Sequence, residues 1–291
     1  KAIDMQWLAP KEAELQEAES EAAANSNIQS MLLTIKGVEG PVQVNMNTAV
    51  LENKISAIQI ICELAKSLGS AFIDYVTPVA TLVLENLMLC PESTVVRKTA
   101  TKTLSPLLMC ASTPEQRKEL IALYFPAFAR QLKLRLERLD FNTLKWLTQE
   151  LSRCVKHFYN APQGTEWISG TFATEMLDLL AKICETVALD KKTRYEQFET
   201  AKKKMTEEDV EDFEEEVKKL DKVWSYTMEI ISVCLRTMSA QLSPVVLQKF
   251  VPLYGQKLLD IGSKKDYELE PALCFVADCL ENGDEALFSS V

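Results

Sequence analysis

The stretch TAVLENKISAIQIICELAKSLGSAFIDYVTPVATLVLENL, residues 48–87, carries the pattern that decides the fold. Its apolar residues recur at gaps of three and four, which places them on one face of an α-helix. The first stripe runs from Leu51 to Leu68, and Gly69 follows where a helix would end. A second stripe runs from Phe72 to Leu87. The stretch therefore predicts two consecutive amphipathic helices, over residues 49–68 and 71–89.

This two-helix unit recurs along the chain. Further helices are predicted at 93–111 and 114–138, 141–159 and 165–188, 206–241 and 243–261, and 266–282. A proline recurs in the second helices, at Pro78, Pro126 and Pro252. Repeats of roughly 40–47 residues built from two helices are typical of HEAT and armadillo arrays. The sequence therefore predicts an all-α HEAT-repeat solenoid, a right-handed superhelical stack of about five antiparallel pairs, with a generic helical bundle as the alternative.

Two regions depart from the plain repeat. Residues 1–47 form an acidic N-terminal segment with a predicted β-hairpin near 31–46. Residues 189–222 are a charged insert, which is expected to lengthen the connection between the third and fourth units and to contain a helix that begins near the cap Thr206. The predicted units of the continuous solenoid over 48–291 are 48–90, 91–138, 140–188, 206–262 and an incomplete one at 264–291.

Charge and cysteine usage narrow the class of partner. The formal net charge is −10, which repels phosphate backbones and attracts Lys- and Arg-rich proteins, so nucleic acid is excluded as the expected ligand. The 8 cysteines contain no CxxC pair, which favours reduced core thiols in the cytoplasm or nucleus. We expect no membrane insertion, because no apolar run of spanning length is recognised. The interrupted helical pattern of the last residues predicts that the chain is a fragment, and we expect a monomer.

The sequence offers little that could support catalysis. His157 is the single histidine, and a structural role is the expectation for it. No nucleophile elbow, P-loop, dinucleotide fingerprint or HExxH pattern occurs. We therefore predict a protein that is not an enzyme and has no catalytic, metal-binding or cofactor-binding residues.

Binding is the better prospect, since a helical array presents a long surface lined by one helix of each pair. Carboxylates on the second helices would suit a Lys-rich extended peptide, and an aromatic ring would hold its cationic side chains. The candidate cargo-binding residues are Asp74, Glu85, Trp167, Glu175, Asp178 and Glu185. The acidic insert supplies a second candidate set, for which a solvated helix start is the alternative interpretation: Glu207, Glu208, Asp209, Glu211, Asp212, Glu214, Glu215 and Glu216.

Three stretches resemble the importin beta (karyopherin beta) superfamily, and within it the importin beta-3 or importin-5 type of receptor. They are the helix pair at 48–87, the stretch STVVRKTATKTLSPLLMCA at 93–111, and the region from the acidic helix to PALCFVADCLENGDEALF at 271–288. Ala277 stands where the family often has an acid. Together these stretches cover most of the chain from residue 48 onward.

The resemblance implies a central fragment of a nuclear import receptor that shuttles between cytoplasm and nucleus. It implies cargo with Lys/Arg-rich localisation signals on the inner helical surface, phenylalanine–glycine nucleoporins as partners, and Ran-GTP bound mainly through repeats outside this chain. The alternatives are a HEAT scaffold or regulatory subunit of another complex, such as a phosphatase scaffold, and a helical accessory region of a large enzyme. Nucleoporins and Ran would co-purify with the receptor, whereas a catalytic subunit would co-purify with the scaffold.

Overall fold

The computed structural model describes residues 28–34, 41–90, 93–159, 170–258 and 266–282. The elements are β1 (Ile28–Thr34), β2 (Pro41–Asn47), α1 (Thr48–Leu68), α2 (Ile73–Glu85), α3 (Thr94–Thr101), α4 (Leu104–Cys110), α5 (Pro114–Glu137), α6 (Phe141–Tyr159), α7 (Gly170–Ala201), α8 (Glu207–Leu258) and α9 (Asp266–Asn282). Short 3-10 turns at Gly69–Phe72, Leu87–Leu89 and Lys202–Lys204 connect or extend these helices. The elements pack as a HEAT-repeat solenoid, which confirms the predicted fold class.

The first helix pair follows the predicted boundaries closely. Gly69 has a φ of +53°, in the left-handed region that favours glycine, and it ends α1 where the sequence indicated. Pro78 lies inside α2, where its missing N–H leaves the helix one hydrogen bond short. The residues on the apolar face of α2, including Val76, Ala80 and Val83, are buried.

The second pair differs from the prediction in its first helix. The predicted single helix at 93–111 is divided into α3 and α4 by a turn at residues 102–103. Pro106 accounts for the division, because it has no N–H to donate to the carbonyl of Lys102. The second helix, α5, begins as predicted: Thr113 caps it, and Gln116 completes a capping box.

The helices around the charged insert are longer than predicted. Helix α7 continues to Ala201, beyond the predicted end at residue 188. Helix α8 is continuously helical over residues 207–258, where the sequence predicted two helices, at 206–241 and 243–261. Its predicted cap is confirmed, since the Thr206 Oγ1 accepts a hydrogen bond from the Asp209 backbone N–H at 3.2 Å.

The chain nevertheless reverses direction within α8. Trp224 and Tyr254 would lie about 45 Å apart on a straight helix, at 1.5 Å per residue. The Trp224 indole N–H instead donates a hydrogen bond to the Tyr254 hydroxyl at 2.8 Å. We therefore treat residues 207–235 as the N-terminal limb of α8 and residues 248–258 as its C-terminal limb, which pack as an antiparallel pair does.

The helices form two layers that share one continuous core. Helices α1, α3, α4, α6 and the N-terminal limb of α8 form the first-helix layer: α1 contacts α3 and α4, both of these contact α6, and α6 contacts α8. Helices α2, α5, α7 and the C-terminal limb of α8 form the second-helix layer. Between the layers lie large fully buried side chains such as Tyr124, Phe128, Phe250 and Phe275.

The predicted hairpin is confirmed, with strands slightly longer than expected. Strands β1 and β2 pair antiparallel, with Ile28 opposite Asn47 and Thr34 opposite Pro41. Because Asn47 directly precedes α1, this register places Ile28 beside the start of that helix.

The sequence analysis recognised no apolar run of membrane-spanning length, and this was wrong. The run Thr48–Leu89 is long and apolar enough, by length and composition, to cross a membrane. The same property is found in core helices, and it is weak support for membrane insertion when a single run shows it. In this run Gly69 separates two helices, and Ile58, Ala65 and Val76 contribute to the shared core.

Candidate functional site

The second-helix layer holds the described candidate cargo residues, and each of these lies at its surface. Asp74 and Glu85 lie at opposite ends of α2, and both are exposed. Glu175 and Glu185 are exposed on α7. Asp178 is half-buried on the same face of α7, and its Oδ1 lies 3.1 Å from the Lys249 ammonium of α8.

The acidic stripe is interrupted where α5 lies between α2 and α7. Aligning the repeats on Pro78 and Pro126 places Ala122 at the position of Asp74, and Lys133 at the position of Glu85. Both replacements are exposed. The candidate acids therefore fall into two patches, one on α2 and one on α7, separated by a neutral-to-basic helix. The proline alignment in the sequence would have revealed this interruption.

The α7 patch is itself of mixed charge. Lys182 is exposed on α7 between Asp178 and Glu185, and Lys249 offsets the charge of Asp178. Glu175 and Glu185 make no ion pair within the described part of the chain. These two carboxylates are therefore the ones available to a basic ligand. Trp167, the proposed aromatic contact, lies outside the described residues.

The acidic insert is a helical hairpin made by the end of α7 and the start of α8. Lys191 bonds Asp221 at 2.6 Å, Arg194 lies 3.6 Å from Glu216, and the rings of Phe198 and Phe213 stack at 4.1 Å. Hydrogen bonds from the Thr206 backbone and hydroxyl to Asp209 hold the pKa of that carboxyl below its usual value. The insert is thus an ordered extension of the helix pair, and its two helices pack against each other along their length.

The eight insert acids divide into paired and unpaired groups. Glu214 and Glu215 each lie 3.5 Å from a lysine, Lys218 and Lys219 respectively, and Glu216 bonds Lys219 at 2.6 Å. The other five acids are exposed on the first turns of α8 and make no ion pair among the residues that the structure describes: Glu207, Glu208, Asp209, which is hydrogen-bonded to Thr206, Glu211 and Asp212. Their negative charges stabilise the N-terminus of α8 through the helix dipole. This is the role that they have in the alternative interpretation, in which the acids form a solvated helix start.

A cleft lies where the hairpin joins the repeats. It has a volume of about 340 Å³ and is lined by α7, both limbs of α8 and α9. Trp224, Pro252, Leu253 and Tyr254 form its apolar wall, and Glu185 lies at its edge. The α7 patch and this cleft are therefore continuous.

A larger cleft of about 550 Å³ lies on the first-helix layer, and the sequence analysis did not predict it. Helices α1, α3, α4 and α6 line it, with Lys66, Lys102 and Arg153 among the lining residues. Glu150 lies at its base, with only 1% of its surface exposed. The sequence held one signal of this cleft: Glu150 is an acidic residue within the apolar stripe of α6, between Leu147 and Cys154.

Glu150 joins two repeats at this cleft. Its Oε1 accepts a hydrogen bond from the Ser105 backbone N–H at 3.2 Å, and its Oε2 accepts one from Arg153 at 3.1 Å. Burial raises the pKa of Glu150 to about 7, although Arg153 opposes the shift. The carboxyl therefore caps an N–H group at the start of α4 that has no partner within its own helix.

The histidine and the cysteines, whose side chains could in principle take part in catalysis or bind a metal, occupy ordinary positions in the helices. His157 is exposed on the last turn of α6, where partial desolvation lowers its pKa. All eight cysteines are in the thiol form, five of them buried. Burial raises the pKa of Cys184 to about 12, so this thiol is a core group.

Comparison with known proteins identifies the fold. No family profile and no curated protein sequence matches this chain. Among solved structures, the karyopherin Kap121p bound to the SUMO protease Ulp1p matches 94% of this chain, with a TM-score of 0.62 and 17% identity. Kap121p bound to Nup53p matches 95%, with a TM-score of 0.61 and 16% identity. Kap121p bound to the extreme C-terminus of the phosphatase Cdc14p matches 94%, with a TM-score of 0.62 and 18% identity.

These neighbours are karyopherins, so the chain has the HEAT-repeat fold of nuclear transport receptors. It spans 23% of the length of Kap121p in the Ulp1p complex. At 16–18% identity, this likeness shows the fold.

Proposed function

We propose that this chain is part of a nuclear import receptor that holds basic, extended segments of cargo proteins on its second-helix layer. The observation that carries the proposal is the match to Kap121p along nearly the whole chain, in structures that include complexes with Ste12p and Pho4p. A solenoid recognises such segments through side chains presented in rows by successive helices.

Within this layer, the α7 patch is the better candidate. Glu175 and Glu185 are exposed and unpaired among the described residues, they lie about 15 Å apart along the helix, and Glu185 borders the apolar cleft. The α2 patch is separated from them by Lys133 of α5. In one solved variant of Kap121p, three acidic residues are replaced by lysine. Substitutions of this type test whether an acidic surface binds a basic peptide.

The same fold likeness supports a proposal for the wider role. We propose an importin beta-3 or importin-5 type of receptor that shuttles between cytoplasm and nucleus, contacts phenylalanine–glycine nucleoporins, and responds to Ran-GTP mainly through repeats outside this chain. The solved complex of Kap121p with Nup53p supports a nucleoporin as one class of partner. A HEAT scaffold of another complex has the same architecture, and it would co-purify with a catalytic subunit in place of nucleoporins and Ran.

Titration calorimetry with a Lys-rich localisation peptide and its Lys→Ala control tests the cargo site. We expect Lys-dependent binding that weakens with salt, and a rise in Kd of about tenfold for the double variant Glu175→Lys/Glu185→Lys, equivalent to about 1.4 kcal/mol. Glu52→Lys is the matched control, since Glu52 is an exposed acid on α1, in the other layer. Absence of binding at low salt, or an equal loss in the control, would refute the assignment.

A further inference from the structure

Asp178 lies between the two carboxylates of the proposed cargo site, and a lysine of the chain itself already holds it. Glu175, Asp178 and Glu185 share one face of α7, because spacings of three and seven residues return to the same side of a helix. Along the helix axis, Asp178 is about 4.5 Å from Glu175 and about 10.5 Å from Glu185. Its Oδ1 lies 3.1 Å from the Nζ of Lys249. The central carboxylate of the row is therefore occupied.

Lys249 reaches Asp178 from a neighbouring helix, as a lysine of a bound segment would. It belongs to the C-terminal limb of α8, beside α7 in the second-helix layer. The two side chains keep 40% and 41% of their surface exposed, whereas the Asp178 Oδ1 itself is shielded from solvent. Among the residues that the structure describes, Asp178 is the only acid within 4 Å of Lys249. The shielded oxygen thus has a cation of the chain beside it.

An added lysine would gain little at this position. An ion pair between half-exposed side chains is weak, so Lys249 does not bind Asp178 tightly. A second ammonium group beside the same carboxylate is attracted by Asp178 and repelled by Lys249 at a similar distance, and the two effects oppose each other. Glu175 and Glu185 carry no such internal partner in the described part of the chain, so they keep their full attraction for a cation.

Lys182 is a second cation on the same helix. It is exposed one turn after Asp178, and it makes no ion pair with any residue that the structure describes. Its charge adds to that of Lys249 and makes the middle of the row less favourable still for a cation. The two ends of the row are therefore acidic, and the middle is neutral to basic.

We propose that Lys249 is an internal competitor for cargo lysines, and that it sets the spacing of the basic residues that the α7 patch accepts. This inference rests on the proposed function. Residues i and i+4 of an extended segment lie about 13 Å apart on one side, close to the roughly 15 Å between Glu175 and Glu185. A lysine at i+2 faces Asp178 and Lys249. The patch therefore favours two lysines four residues apart and gains little from a third lysine between them.

Fluorescence anisotropy of two labelled peptides with the full chain, at low salt, tests the competition. Both peptides have lysines at their second and sixth positions among serines and threonines, and one has a further lysine at the fourth position. We expect the third lysine to lower Kd by about twofold in the parent and by about tenfold in Lys249→Met. Lys118→Met is the matched control, because Lys118 is exposed on α5 and its loss changes the net charge equally. This variant should keep the parent ratio.

A second substitution shows whether Asp178 is the group that Lys249 occupies. Adding Asp178→Asn to Lys249→Met should return the ratio of the two Kd values to about twofold, since the carboxylate that the third lysine would bind is gone. Equal ratios in the parent and Lys249→Met would overturn the inference and leave the proposed function intact. If neither peptide bound the parent or any variant, the proposed function would be refuted, and this inference with it.

Discussion

The two ends of α7 are packed by different forces. Near its middle, Leu180, Ile183 and Cys184 are completely buried against neighbouring repeats. Beyond residue 188 the same helix packs against α8 through two ion pairs and a stacked ring pair, with most of its surface in water. Burial gives a stability that is insensitive to salt, whereas ion pairs that are partly exposed to water contribute less and are screened by salt. The repeats and the hairpin should therefore respond differently to substitution.

The largest effect is expected in the core of the repeats. Phe128 on α5 is fully buried, so Phe128→Ala should lower the free energy of unfolding by about 3–5 kcal/mol through lost burial and a cavity. Urea unfolding followed by circular dichroism measures the change. Met109→Ala is the control, because Met109 is 62% exposed and its replacement should cost about 0.5 kcal/mol or less. Similar losses in both variants would contradict the buried core.

A pH dependence of stability should distinguish the buried acid of the repeats from the acids of the hairpin. Glu150 has a pKa of about 7 in the folded protein, against an ordinary value of 4.5, because burial favours its neutral form. The stability linked to it is present at pH 4.5 and is lost as the pH rises through 7, by up to about 3 kcal/mol.

Glu150→Gln removes this titration and keeps an acceptor for the Ser105 N–H. The free energy of unfolding should fall less between pH 5 and pH 8 in the variant than in the parent, by about 1–3 kcal/mol. Urea titrations at the two pH values measure the difference. An unchanged slope would show that Glu150 is not the group responsible.

The smallest global effect is expected in the hairpin. Phe213 contacts both Tyr195 and Phe198, at 5.2 and 4.1 Å between ring centroids. Phe213→Ala should weaken the amide-exchange protection of residues 190–222 by about 1–2 kcal/mol and leave the repeats unchanged. Tyr75→Ala, at a ring that is 63% exposed on α2, is the control. Loss of protection throughout the repeats would mean that the hairpin and the core unfold together.

The periodicity of three and four was sufficient to predict the helices whose apolar stripe is simple. The boundaries of α6 agree with the prediction, and Leu144, Leu147, Leu151 and Cys154 of its predicted stripe are buried. The division between α3 and α4 was missed because the apolar pattern continues through the turn. The extension of α7 to Ala201 was missed because its surface is charged, and periodicity reports only helices with a buried face.

The individual positions of the candidate cargo residues were predictable, but their arrangement as a surface was not. Helical spacing placed Asp74, Glu85, Glu175 and Glu185 on exposed faces, because a polar residue opposite an apolar stripe faces water. Their division into two patches depends on which helix lies between them. It is therefore set by the packing of α5 beside α2 and α7.

The sequence by itself determined the class of fold, the helix caps at Thr113 and Thr206, and the acidic character of the surface, because these depend on residues close together in the chain. Only the tertiary structure decided that Lys66, Lys102 and Arg153 share one cleft, that Glu150 is buried there, and that Trp224 meets Tyr254. These groups are separated by tens of residues, and no local pattern reports a distance set by how successive repeats stack.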